Sequence, residues 1–193
     1  MISALLLAAG ESRRMGDFKQ LLRLGDKSFV EHCVDNLLAS RVGEVVVVTG
    51  HRESEVRRAI GGRRVIFAYN AEYKSGMTSS IKRGMHAVSE SSNACVLALV
   101  DQPRIDPSVI DRIIETYEKA QPLIVIPTYQ GKNGHPILLD LILKREVLNL
   151  DSSKGLREVV HAHQAETARV EVSDGRVLED CDSPDDYERI SKQ

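Results

Sequence analysis

The stretch Ile2-Ser3-Ala4-Leu5-Leu6-Leu7-Ala8-Ala9-Gly10-Glu11-Ser12-Arg13-Arg14-Met15-Gly16-Asp17-Phe18-Lys19-Gln20 decides the fold. Ile2 to Ala8 is apolar except for Ser3, the pattern of a strand buried on both faces. It passes directly into a loop rich in glycine and cations. Small residues at 8 to 10 let a ligand approach the backbone closely. Exposed N–H groups at such a place bind phosphate oxygens. Arg13, Arg14 and Lys19 put three cations within a few residues of those amides. Arginine forks onto phosphate, whereas lysine acts as a point charge. Together these suit a triphosphate. Two familiar phosphate motifs do not fit. GxxxxGK[ST] fails because five residues separate Gly10 from Gly16 and Asp17 follows where lysine is required; GxGxxG is absent. A surface turn with solvated charges is the bland alternative for this loop taken alone. Lys19 lies away from any predicted core face.

Outward from this loop, apolar runs alternate with helical patterns. Ser28 and Glu31 form a capping box that opens a helix to about Ser40. Glu44 to Thr49 is a Val-rich strand, a polar helix covers Glu53 to Ile60, and Arg64 to Tyr69 is the next strand. A helix runs from about Thr78 to Ser89, and Ala94 to Val100 is another buried strand. Asp106-Pro107 starts a helix to about Lys119, with an N-cap residue followed by proline at the first position. Leu123 to Ile126 reads as a strand closed by Pro127, and Pro136 to Leu139 as a short one. Helices follow around Leu141 to Leu148 and Gly155 to Ala162. Thr167 to Val172 alternates like an edge strand, and Ser183-Pro184 starts a final helix. Continuous apolar strands separated by amphipathic helices predict an α/β fold with a mostly parallel sheet covered on both faces. Ligands of such sheets lie beyond the carboxyl ends of the strands. The loops there are 9–20, 50–53, 70–77 and 101–106. With no repeat or linker, one domain spanning 1–193 is the simplest organisation.

Composition sets the remaining bounds. The chain has 193 residues, 42% hydrophobic and 28% charged, as in ordinary globular proteins. Lys plus Arg number 26 against 28 Asp plus Glu, a formal net charge of -2, so nothing draws it generally to nucleic acid or anionic membrane. The apolar runs are too short to span a bilayer. The N-terminal run lacks a basic flank and enters a charged loop, unlike a signal peptide. Cys33, Cys95 and Cys181 are scattered and odd in number, which suggests reduced thiols, a core-filling role and a cytoplasmic location.

Asp101 directly follows a strand, so its carboxylate is expected to face the ligand crevice. Mg²⁺ prefers one or two carboxylates together with phosphate oxygens and water, and Asp101 suits that role; a turn-forming Asp is the alternative. Asp182 precedes Ser183-Pro184, where a helix-start role competes with metal binding. Asp180, Asp185 and Asp186 read as cap or dipole residues of the last helix. Gly76 to Ile81 leads into a helix whose N–H groups and Ser79 and Ser80 hydroxyls face a base edge or, for Thr78 and Ser79, cap the helix. Asn70 ends a strand and is a further nucleotide contact.

Leu7 to Lys19 resembles the L-A-A-G-x-S-x-R-M-G-x-x-K signature of the MobA-like nucleotidyltransferases. Within them it is most similar to molybdenum cofactor cytidylyltransferases and the related purine-catabolism accessory proteins of xanthine dehydrogenase maturation. Gly76-Met77-Thr78-Ser79-Ser80-Ile81, Asp101-Gln102-Pro103, Gly134-His135-Pro136 and Asp180 to Asp186 follow in family order. The resemblance implies a Rossmann-like three-layer α/β/α sandwich of the nucleotide-diphospho-sugar transferase type. It implies nucleotide binding by Leu7, Ala8, Ala9, Gly10, Arg13, Arg14, Lys19, Asn70, Gly76 and Ser80, with Ser80 on cytosine. Asp101 and Asp182 would share Mg²⁺, Lys19, Arg14 and Asp101 would serve catalysis, and His135 would face a pterin phosphate acceptor. Guanylyltransferases of this type carry Gly where Ala9 stands and the cytidylyl branch carries Ala, which favours CTP. One methyl discriminates by roughly 1–3 kcal/mol. The implied reaction is CMP transfer from CTP to a molybdopterin-type phosphate, serving a molybdenum hydroxylase such as xanthine dehydrogenase. Two rivals remain: nucleotidyl transfer to a sugar or alcohol phosphate, and a non-catalytic chaperone of the molybdenum cofactor. Retention of Lys19, Asp101 and Asp182 favours catalysis.

Overall fold

The computed structural model describes residues 1–151 and 154–192. In chain order the elements are β1 (Ile2–Leu7), β2 (Arg23–Leu24), β3 (Lys27–Ser28), α1 (Phe29–Ala39), β4 (Glu44–Thr49), α2 (Glu53–Ile60), β5 (Ile66–Tyr69), α3 (Met77–Ala87) and β6 (Ala94–Leu99). Then come α4 (Pro107–Ala120), β7 (Ile124–Tyr129), β8 (Lys132–Asn133), β9 (Ile137–Asp140), α5 (Lys144–Asn149), α6 (Arg157–Ala162), β10 (Thr167–Glu171) and α7 (Pro184–Ser191). The central sheet has the order β10-β7-β9-β6-β1-β4-β5, with β8 added to β7. β1 pairs in parallel with β4 and β6, as do β4 with β5 and β7 with β10. β9 is antiparallel to both of its neighbours. β1 sends the chain to β4 on one side and has β6 on the other. Its carboxyl end is therefore the topological switch point, where an open α/β sheet forms its ligand crevice.

Alternation along β1 builds two cores. Ala4, Leu6 and Ala8 face a layer that contains Val30, Val34 and Leu37 of α1 and Ile110 and Ile113 of α4. Leu5, Leu7 and Ala9 face the other layer with Ile81 and Met85 of α3 and Val147 of α5. A Cβ on Gly84 would stand 2.2 Å from a Leu5 methyl, so glycine lets α3 lie directly on β1. A third cluster joins Met15 of the loop, Phe29 of α1, Cys181 and Ile190 of α7. It docks the C-terminal helix beside the cationic loop. All three cysteines are free and buried. Among the described residues no helix is long and apolar enough to cross a membrane.

One expectation needs correction and one element is new. Pro127 does not close its strand. β7 continues to Tyr129, because its pairing with β9 ends at Val125 and the missing N–H of Pro127 interrupts no ladder there. The hairpin of β2 and β3 was not predicted, since its strands are two residues each and carry no periodicity.

Candidate active site

The loop that leaves β1 is held from several sides. Ala8 N donates to Val48 O at 3.0 Å, and Ala9 O accepts from His51 N at 3.1 Å. Ser12 has a left-handed backbone, φ 57°, and its Oγ accepts from Lys19 N at 3.1 Å. The chain returns to the strand ends at a single 3₁₀ turn, Lys19–Leu21. This places Lys19 under the loop, with its side chain only 9% exposed.

Lys19 Nζ donates to Asp182 Oδ1 at 2.7 Å and to Asp101 Oδ2 at 3.3 Å. Arg14 Nη2 takes the other oxygen of Asp182 at 2.9 Å, while its own side chain is 78% exposed. The two aspartates stand 81 positions apart in sequence (182 − 101) and are joined by backbone: Cys181 N donates to Asp101 O at 3.0 Å. Burial raises the Asp101 carboxyl above the usual carboxylate range, an effect the Lys19 ammonium opposes and the charge of Asp180 reinforces. Asp101 Oδ1 is buried with no hydrogen-bond partner. Lys19 is thus not the solvated loop cation of the bland alternative. It is the buried counterion of both predicted metal ligands.

These groups form the floor of an open cleft of about 320 Å³. Leu7, Ala9, Gly10, Arg13, Arg14, Lys19, Gly76, Ser80, Asp101 and Asp182 all line it, as do Tyr73, Met77 and Leu99. A Cβ on Gly10 would meet nothing within 4 Å, and no positive φ requires glycine there, so the space over this residue is open to a ligand. Gly76 has φ 101° and ψ 174°, a conformation reserved for glycine, and opens α3 at the cleft wall.

Three predicted contacts do not line the cleft. Ala8 is fully buried. Asn70 is buried, and its amide donates to Ser79 Oγ at 2.9 Å and Ser80 Oγ at 3.0 Å; it positions the serine pair. His135 donates its backbone N–H to Val177 O at 3.0 Å. Its Nδ1 is buried without a partner, and burial lowers its basicity against the opposing charge of Asp180. Neither Thr78 nor Ser79 caps α3. Thr78 Oγ1 donates to Lys154 O and Ser79 Oγ to Gly76 O, while Gly76 occupies the cap position. Asp186 does build a capping box with Ser183. Asp180 is no cap; it accepts from Gln102 Nε2 at 2.9 Å. Sequence reasoning missed Gln20, Gln102 and Tyr73, for which only their place inside or beside a motif gave a signal.

A metal ion finds a matching donor set here. Asp101 and Asp182 supply hard oxygens, one of them buried and unpartnered. Among the described residues no group of three or more His, Cys, Asp or Glu could hold a metal. Two carboxylates alone are the number with which Mg²⁺-like ions bind together with a substrate phosphate and water.

The mostly parallel sheet flanked by helices is the three-layer α/β fold that nucleotide-diphospho-sugar transferase-type structures share. Residues 4–168 match the MobA-like NTP transferase domain, and the chain belongs to that family. It is 24% identical to the molybdenum cofactor cytidylyltransferase of Escherichia coli (strain K12), over 96% of this chain and 93% of that one. The nicotine blue oxidoreductase of Paenarthrobacter nicotinovorans is 26% identical over 98% of this chain and 96% of its own. Rv0371c of Mycobacterium tuberculosis H37Rv superposes with a TM-score of 0.86 at 29% identity, covering 100% of this chain and 97% of that one. The same protein has been solved in complex with manganese, with a TM-score of 0.83 at 27% identity and coverage of 100% and 98%.

Proposed function

We propose that the chain transfers CMP from CTP to the phosphate of a molybdopterin-type cofactor, releasing pyrophosphate. The observation that carries this reading is the placement of Lys19 between Asp101 and Asp182 at the mouth of β1, with Arg14 on the same aspartate. An acceptor phosphate oxygen attacks the α-phosphorus in line. The α–β phosphoanhydride bond breaks, and its electron pair leaves with pyrophosphate. A phosphate monoester is already largely ionised at neutral pH, so no side chain need act as a strong base. Lys19 and the exposed Arg14 meet the β- and γ-phosphates and stabilise the leaving charge. The loop amides and the N-terminus of α3 hold the nucleotide in place. Asp101 and Asp182 would hold Mg²⁺ or Mn²⁺, which supplies charge neutralisation and orients phosphate oxygens.

Ser80 Oγ accepts from Asn70, which leaves its hydroxyl proton to donate into the cleft. That supports contact with a carbonyl or ring-nitrogen acceptor on a cytosine edge. Similarity to the Escherichia coli cytidylyltransferase along nearly the whole chain supports both CTP and the pterin acceptor. His135 would face that acceptor, and the product would serve a molybdenum hydroxylase such as xanthine dehydrogenase.

The test is pyrophosphate release with CTP, GTP or ATP, each with molybdopterin-type acceptor and Mg²⁺ or Mn²⁺. Release with CTP above the other two is expected. Release only with a sugar or alcohol phosphate acceptor, or binding of cofactor without release, would overturn the reading in favour of one of its rivals. Ala9→Gly should shift the CTP to GTP ratio of kcat/KM by about 10-fold, from the roughly 1–3 kcal/mol that one methyl discriminates. An unchanged ratio places base choice elsewhere, with Ser80 next to be tested.

A further inference from the structure

The geometry points to Gln20 as a positioning residue that turns the main-chain amides of the phosphate loop toward the triphosphate. This rests on the nucleotidyl-transfer reading and extends it to an uncharged residue behind the cleft.

Gln20 is 1% exposed, yet its amide is fully engaged by one short stretch of chain. Nε2 donates to Ala8 O at 3.1 Å and to Gly10 O at 2.8 Å. Oε1 accepts from Ser12 Oγ at 3.0 Å. Carbonyl oxygens only accept, so the NH₂ end must face Ala8 and Gly10. The carbonyl between them, Ala9 O, is taken by His51 N. Every carbonyl from Ala8 to Gly10 therefore has a donor from the protein.

A trans peptide is planar, and its C=O and the next N–H point in opposite directions. Fixing the carbonyls of Ala8, Ala9 and Gly10 on protein donors turns the N–H groups of Ala9, Gly10 and Glu11 away from those donors. No acceptor among the described residues is paired with these three N–H groups. Ala9 and Gly10 line the cleft, and the space over Gly10 is open. Untied carbonyls could turn outward and meet the phosphates with like partial charge. Gln20 removes that alternative before the ligand arrives, which is preorganisation of donors. Through Ser12 the same bridge also fixes Lys19, whose backbone N–H donates to Ser12 Oγ.

The test measures binding of inorganic pyrophosphate with Mg²⁺ by calorimetry, together with KM values for CTP and acceptor. Gln20→Met removes the donor at similar length, and Gln20→Glu places an acceptor against two carbonyls. Both should weaken pyrophosphate binding and raise KM for CTP by roughly 10- to 100-fold, the loss expected for two or more hydrogen bonds, with KM for the acceptor within about twofold. Ser12→Ala keeps the Gln20 amide donor and should lose roughly threefold. A lower melting temperature with unchanged pyrophosphate affinity would make Gln20 merely structural and overturn the proposal. Should both Gln20 variants fail to fold, Ser12→Ala decides, and wild-type affinity there overturns it. Wild-type protein that binds neither pyrophosphate nor CTP would instead overturn the nucleotidyl-transfer reading itself.

Discussion

Arg63 and Lys19 each hold two carboxylates. Arg63 donates to Asp35 at 2.5 and 3.1 Å, reaches Glu31 at 3.4 Å, and donates to the carbonyls of Ile60 at 2.9 Å and Ala59 at 3.3 Å. Glu31 also accepts from Ser28 N and Oγ in the capping box of α1. Both carboxyls are held below the usual range: Asp35 chiefly by hydrogen bonds from Arg63, Glu31 by Ser28 and Arg63 against its own burial. This cluster closes on itself. In the cleft the sign is reversed. Burial dominates at Asp101 and raises its carboxyl despite Lys19, and Oδ1 has no partner. Carboxylates whose bonds are complete stabilise a fold, whereas a carboxylate kept partly unsatisfied at a strand end has capacity for a ligand.

The sharpest way to break this comparison is Lys19→Met. Turnover should fall by roughly 10²- to 10³-fold, the usual cost of losing a group that stabilises developing charge. The same variant should bind Mn²⁺ more tightly than wild type in the absence of nucleotide, because the ammonium no longer competes for Asp101 and Asp182. Steady-state kinetics and a manganese titration read the two effects. Near-normal turnover in a folded variant would put Lys19 in the same class as Arg63.

Asp101→Asn should lose nearly as much activity and require more Mg²⁺ for what remains, since the carbonyl of Asn lacks the charge that holds a hard cation. Asp182→Asn should behave alike. The double variant should lose less than the product of the single losses, because residues that serve one ion are not additive. Multiplicative losses with an unchanged metal requirement would separate the two aspartates and return Asp182 to a helix-start role.

Local chemistry was legible in the sequence and long-range pairing was not. The capping box at Ser28 and Glu31, the Asp106-Pro107 helix start and the bounds of β4 and α2 all appear as read, because each depends on neighbours within a few residues. The cationic loop announced its cleft for the same reason. The antiparallel insertion of β9 between β6 and β7 left no local mark, since its apolar residues would suit either direction. Pro127 looked like a terminator because the end of its ladder with β9 cannot be seen from position 127 alone. Lys19 had no predicted core face, and Gln20 carried no signal beyond its place at the end of the loop. Gln20 is buried beneath its own loop against Ala8, Gly10 and Ser12, and Lys19 is held by Asp182, just ahead of the helix that docks on Met15 and Phe29 through Ile190.

The smallest expected effect lies in the closed cluster, and its pH dependence separates the two regions. Arg63→Met should leave kcat/KM for CTP unchanged and cost roughly 1–2 kcal/mol of stability, as one partly buried arginine serves two carboxylates and two carbonyls. Asp35 and Glu31 have folded pKa values below their unfolded ones. The stability they contribute is present above the unfolded values of 3.8 and 4.5 and is lost as pH falls through the depressed folded values. The gap between wild type and Arg63→Met should therefore be widest near neutrality and close in acid. Asp101 has the opposite sign. Its folded pKa is raised above 3.8, so its contribution is full below that value and lost as pH rises through the folded one. Asp101→Asn should then match or exceed wild type in stability near neutrality, and that advantage should shrink toward acid pH. Denaturant melts of both variants between pH 3 and 7, a range set around the carboxylate pKa values, read the two slopes. A wild-type advantage over Asp101→Asn that grows toward neutrality, as it does over Arg63→Met, would mean that Asp101 is as fully satisfied as Asp35, and the distinction between a closed and an open cluster would fall.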